Sequence, residues 1–148
     1  MSRNLSRIKA LFELYQYDLL KSDDNIQYFD QEFPKLLEEV NEENDSKYEF
    51  SYDEKFSKEL YQGVIDNLSD IDRTIAISLT DYTLDRLGYI DRNLIRIGVY
   101  EIVYLHEPKN IIINEIINLS KEYTQTESFL SSRFNNRLLD NICKRLGV

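Results

Sequence analysis

A single cysteine, Cys143, rules out an intramolecular disulfide and fits a reducing compartment. There is one histidine, His106, no tryptophan, and only two prolines and four glycines. The glycines, at positions 63, 88, 98 and 147, are too scattered to form a loop that cradles phosphate. No carboxylate and histidine cluster has metal-ligand spacing, so neither a metal nor a cofactor is expected. His106 falls at a helix end, where a cation favours the C-terminal dipole, and Cys143 lies among the core positions Leu139, Ile142 and Leu146 as an inert thiol. No catalytic constellation remains, and the expected protein is not an enzyme. Apolar runs are also short. None approaches the ~20 residues of a membrane span and none near the start resembles a signal peptide, which points to the cytoplasm.

Helical periodicity is abundant. The stretch 90–123, IDRNLIRIGVYEIVYLHEPKNIIINEIINLSKEY, carries Leu94, Ile95, Ile97, Val99, Ile102, Val103 and Leu105 on a pattern too apolar for a surface helix, so it belongs at the centre of the molecule. Asp91 is expected to cap it, with Ile90 and Ile95 closing as a hydrophobic staple. Gly98 costs roughly 1 kcal/mol of helix propensity relative to alanine and marks a close approach by another helix. His106-Glu107-Pro108-Lys109 breaks the helix, and Asn110 caps a second with Ile111, Ile112, Ile113, Ile116, Ile117 and Leu119. Arg96, Glu101 and Glu115 read as an ion-paired network that holds register, and Asn114 as a core hydrogen-bonder.

Elsewhere, Leu5, Ile8, Phe12, Tyr15 and Leu19 mark the inward face of a first helix ending near residues 21–24. Phe33-Pro34 starts a shorter helix with Leu36, Leu37 and Val40 inward, followed by an acidic loop at 41–47. Ser51 with Glu54 and Ser69 with Asp72 read as capping boxes for two further helices. The first buries Phe56, Leu60, Val64 and Leu68, and the second Ile71, Ile75, Leu79 and Tyr82, running on through Leu84 and Leu87 to Gly88. Phe134, Leu138, Ile142 and Leu146 form the last helix, closed by Gly147. No segment reads as a strand, so the fold is all-α, about seven helices in a globular bundle.

The net charge of -9 is unevenly placed. Residues 18–54 hold 13 acidic and 3 basic side chains, leaving 14 acidic and 15 basic for everything else. Both ends are basic: Arg3, Arg7 and Lys9 precede the first acid, and Arg133, Arg137, Lys144 and Arg145 face only Asp140 from residue 128 onward. Cations beside Tyr15, Tyr123 and Phe134 are what single-stranded RNA requires, phosphate contacts plus rings for unpaired bases. The same residues also fit a solubilised first turn and core aromatics.

Arg96-Ile97-Gly98-Val99-Tyr100-Glu101, then Pro108, then Ile113-Asn114-Glu115-Ile116-Ile117 and Leu119-Ser120-Lys121 resemble the signature of the NusB family of bacterial antitermination factors. The likeness extends back to Ala10-Leu11-Phe12-Glu13-Leu14-Tyr15-Gln16 and forward to residues 133–140. It implies a single domain over 1–148 in two roughly perpendicular three-helix lobes, about 1–68 and 69–148. It also implies binding to single-stranded boxA-type RNA of ribosomal RNA operon transcripts, jointly with the basic small-subunit ribosomal protein NusE, within the RNA polymerase antitermination complex. By resemblance, Arg3, Arg7, Lys9, Lys109, Tyr123, Arg133, Phe134, Asn135 and Asn136 face RNA, while Tyr15, Asp91 and Glu127 lie on the partner side. The family's usual Phe-Val-Asn-Gly reads Phe134-Asn135-Asn136-Arg137 here, and the glycine common after Tyr123 is Thr124. The alternatives are an RNA-binding fragment of a ribosomal RNA methyltransferase and a protein-only helical scaffold whose acidic segment recruits a basic partner.

Overall fold

The computed structural model describes residues 2–21, 35, 38, 39, 51–79, 84–123 and 128–148. Among these there are six α-helices and no strand: α1 (Arg3–Leu20), α2 (Glu54–Asp66), α3 (Leu68–Ser78), α4 (Tyr89–Val99), α5 (Lys109–Tyr123) and α6 (Ser128–Leu146). A 3-10 turn at Leu84–Arg86 precedes α4, and α4 continues into a π-helical turn, Tyr100–Tyr104. The all-α expectation holds. The chain divides into two compact units, Met1–Tyr61 and Gln62–Val148.

In the first unit the Ser2 hydroxyl caps α1 by accepting from the Leu5 N–H at 3.1 Å. The Ser2 N–H donates to the Ser51 carbonyl at 2.8 Å, and the Ser6 hydroxyl donates to the Asp53 carbonyl at 2.9 Å, tying the start of α1 to the start of α2. Asp53 Oδ1 accepts from the Phe56 N–H at 3.1 Å, so Asp53 caps α2 in place of the expected Ser51 and Glu54 box. The inward face of α1 also differs from the expectation. Leu5, Ile8, Phe12 and Tyr15 are half-buried and Leu19 is exposed, whereas Ser6, Lys9, Ala10, Glu13 and Leu14 form the buried stripe. Lys9 Nζ bonds Glu13 Oε1 at 3.1 Å, and this neutralised pair lets two charged residues occupy an interior face. Lys35, Glu38 and Glu39 are helical and exposed, while Leu36, Leu37, Val40 and the acidic loop at 41–47 lie outside the described residues.

In the second unit α5 packs on α6, α4 lies against both, and α3 contacts α4 and α6. Lys109 at the start of α5 reaches Val148 beyond the end of α6, and Ser120 late in α5 meets Asn135 early in α6, so the two helices run antiparallel. Every residue of α4 from Arg92 to Val99 is buried, as its composition requires. Its start lies earlier than expected. Gly88 precedes the first turn and Asp91 sits within it, so the staple built on an Asp91 cap does not apply. Pro108, just before α5, takes the place expected of Asn110, its carbonyl accepting from the Ile111 and Ile112 N–H groups, and Asn110 lies within the first turn. Ser69 and Asp72 form no box either: Asn67 precedes α3, and the Asp72 carboxylate is taken up by Arg96 in two bonds of 2.8 Å. Asp72 is thus a partner of Arg96 that the sequence reading did not name. Tyr82 lies outside the described residues. Gly147, at φ 73°, closes α6 with Val148 N–H on the Cys143 carbonyl and Gly147 N–H on the Lys144 carbonyl, a Schellman turn.

The close approach expected at Gly98 is present. A Cβ there would lie 3.2 Å from Ile116 Cγ1 and 3.3 Å from Leu139 Cδ2, at the point where α4 meets both α5 and α6. Gly98→Leu should overpack this junction and cost about 1–3 kcal/mol. Chemical denaturation measures it, and a midpoint equal to the native one would remove the packing argument.

Candidate nucleic-acid interface

The first turn of α1 contains no acid, and the positive end of the helix dipole lies there. The Arg3 guanidinium stands 4.5 Å above the Phe56 ring centroid and that of Arg7 stands 5.8 Å from the same ring. Both are within the range of cation–π attraction. Arg7 also donates to Asn4 Oδ1 at 2.8 Å and is almost wholly buried, whereas Arg3 is exposed. Phe56 thus positions two like charges at one helix end, with Arg3 at the surface and Arg7 behind it. Sequence periodicity assigned Phe56 to a core face and missed this second use. Lys9 does not join them: its ammonium is fully buried on Glu13, which removes it as an RNA contact. Tyr15 is half-buried.

In the second unit Lys109 is half-buried and donates to the Val148 carbonyl oxygen at 3.0 Å. Tyr123 is half-buried at the end of α5. Burial, with Glu122 adding to it, raises its phenol above the ordinary value, so the O–H remains a donor at neutral pH. Arg133 and Asn136 are exposed on α6 and Phe134 is half-buried between them. Asn135 points the other way. Only 1% exposed, it donates from Nδ2 to Asp91 Oδ1 at 3.0 Å and to Ser120 Oγ at 3.1 Å, while the Ser120 hydroxyl donates to Asp91 Oδ1 at 3.3 Å. This cluster joins α4, α5 and α6, so Asn135 is an internal link and not an RNA contact. The same bonds give Asp91 an internal role that its expected partner contact did not include. Glu127 and Thr124 lie outside the described residues. Cys143 is buried, and burial raises its thiol, as expected of an inert cysteine. His106 is exposed with φ 58°, a left-handed residue closing the π-helical turn.

Asn114, expected in the core, is exposed. With Asn110, Ile113 and Ile117 of α5 and Asn136 and Asp140 of α6 it lines an open groove of about 290 Å³. Positions 110, 113, 114 and 117 share one helical face, as do 136 and 140, and antiparallel packing sets the two faces side by side.

The NusB family profile matches residues 4–144. The chain belongs to the NusB family. It is 36% identical over 143 residues to the transcription antitermination protein NusB of Aliarcobacter butzleri, covering 97% of this chain and 98% of that protein. Its fold is similar to that of T. maritima NusB, with a TM-score of 0.72 at 27% identity, covering 97% of this chain and 92% of that one. It is also similar to a chain from the crystal structure of the antitermination factors NusB and NusE in complex with dsRNA, with a TM-score of 0.71 at 27% identity, covering 97% and 96%. Asp91 and Ser120 accept from the Asn135 amide nitrogen, while its buried Oδ1 has no hydrogen-bond partner among the described residues. Among the described residues no helix is long and apolar enough to cross a membrane, and no group of three or more histidine, cysteine or acidic side chains is placed to hold a metal.

Proposed function

We propose that this protein is an RNA-binding transcription antitermination factor that takes boxA-type RNA of ribosomal RNA operon transcripts jointly with NusE. The observation that carries the reading is the near full-length likeness to antitermination proteins, including one solved with NusE and RNA. The charge pattern supports a shared site. With a net charge of -9 the chain repels RNA at long range, and its few clustered cations offset only part of that. A basic partner reverses the sign and raises the effective concentration of every contact. Arg3, Lys109, Tyr123, Arg133, Phe134 and Asn136 are the RNA-facing set in this proposal, with Arg7 buried behind Arg3 and adding its charge to the same helix end. Tyr15 belongs to the partner side, and Asp91 serves there only while still holding Asn135.

Labelled boxA-type RNA titrated with this chain, with NusE and with both is expected to bind the mixture most tightly. By linkage, RNA should tighten NusE binding by the same factor. Equal affinity for the chain alone and for the mixture would refute the shared site.

Arg3→Ala should weaken RNA binding similarly across sequences and flatten the salt dependence by about 0.7 for a lost single-strand phosphate contact. Arg7→Ala should in addition lower the melting temperature, because Arg7 is buried against Phe56. A wild-type salt slope for the intact Arg3→Ala protein would exclude the α1 terminus from the RNA site.

A further inference from the structure

We infer that the groove between α5 and α6 is a pocket for one unpaired RNA base, read through its hydrogen-bonding edge. The inference rests on the RNA-binding reading above and adds a site to it. Asn110, Asn114 and Asn136 are exposed and line one groove, so three carboxamides there can offer both donors and acceptors to a ligand. Ile113 and Ile117, half-buried along the α5 side, offer an apolar surface to a base face. Asp140 closes the α6 side. A carboxylate in the lining opposes a phosphate and accepts from an exocyclic amino group, which favours adenine, cytosine or guanine over uracil.

The charges that would hold the flanking backbone lie outside the groove. Arg133, Asn136, Arg137, Asp140 and Lys144 recur at three- and four-residue spacing on α6, and Arg133, Arg137 and Lys144 are exposed. Lys144 Nζ lies 3.0 Å from Asp140 Oδ2, so one cation already stands at the rim. Phosphates on this stripe would bring a base over the amides beside it, dividing the work between charge for positioning and edge contacts for selection.

The test uses the full chain with NusE and two single-stranded boxA-type RNA series, one abasic and one substituted with uracil at each position in turn. The double variant Asn114→Ala/Asn136→Ala changes two exposed residues and should melt as the wild type does. It is expected to bind RNA about 10-fold more weakly at an unchanged salt slope, since two neutral hydrogen bonds are lost and no charge is. One abasic position should weaken the wild-type complex by a similar factor and leave the variant unaffected, and uracil at that position should cost nearly as much. Unchanged RNA affinity, or a shallower salt slope, would overturn the base pocket while leaving RNA binding itself intact. Loss of NusE binding without RNA would assign the groove to the protein partner instead. Failure of the wild-type mixture to bind any RNA would remove both this inference and the reading it rests on.

Discussion

Arg96→Ala is expected to destabilise the second unit by about 3–5 kcal/mol, the usual result of removing one member of a buried ion pair. The guanidinium meets the Asp72 carboxylate through Nε and a terminal nitrogen, each at 2.8 Å, and donates to Asn93 Oδ1 at 2.9 Å. Its side chain is only 6% exposed and that of Asp72 24%, so neither charge is well solvated once its counterpart is lost. The bonds join α3 to α4, and the fork geometry fixes both distance and rotation between those helices. The double variant Arg96→Met/Asp72→Leu should recover much of the loss, because the cost lies mainly in stranding a desolvated charge. Denaturant melts of the two single variants and the double variant measure the coupling. Strictly additive losses would show that the pair does not act as a unit.

Gly63→Ala should also destabilise, although helix propensity alone predicts the opposite sign. In a helix interior alanine is worth about 1 kcal/mol over glycine. Here a Cβ at Gly63 would overlap the Tyr100 ring. Tyr100 is 8% exposed and stacks on Tyr104 with ring centroids 5.4 Å apart and planes 16° from parallel, so the ring has little room to withdraw. Overpacking of this kind costs about 1–3 kcal/mol, and displacement of a buried aromatic adds to it, enough to exceed the propensity gain. Adding Tyr100→Leu to Gly63→Ala should restore part of the stability, since the smaller side chain leaves space for the methyl group. A Gly63→Ala protein that melts above the wild type would show that the ring moves aside without cost.

Apolar spacing located most of the helices but not always their faces. For α4 the two agree, because a helix buried all round presents no alternative face. For α1 they do not. Lys9 and Glu13 neutralise one another four residues apart and take the inward position, a choice that apolar periodicity cannot register. The capping boxes failed for a related reason. Serine and acidic side chains near a helix start have several backbone and side-chain partners within reach, and the winner is set by the neighbouring segment. Thus Ser51 offers its carbonyl to Ser2, and Asp72 turns to Arg96.

The candidate site was legible in part. Basic ends and family motifs pointed to Arg3, Arg7, Lys109 and residues 133–136, and the structure separates these by exposure: Lys9 and Asn135 turn inward, while Arg3, Arg133 and Asn136 face solvent. The amide groove had no sequence signal of its own. Asn110 and Asn114 share a helix face, but Asn136 and Asp140 join them only because α5 and α6 pack antiparallel.

By itself, then, the sequence determined the all-α class, the central buried helix, the close packing at Gly98 and the family, since these depend on local spacing and on residue order along the chain. Tertiary structure alone decided which carboxylate Arg96 meets, why Gly63 must lack a side chain, which cations reach the surface, and which asparagines share a groove. Each of those depends on a contact between segments far apart in sequence, and such contacts exist only once the helices have packed.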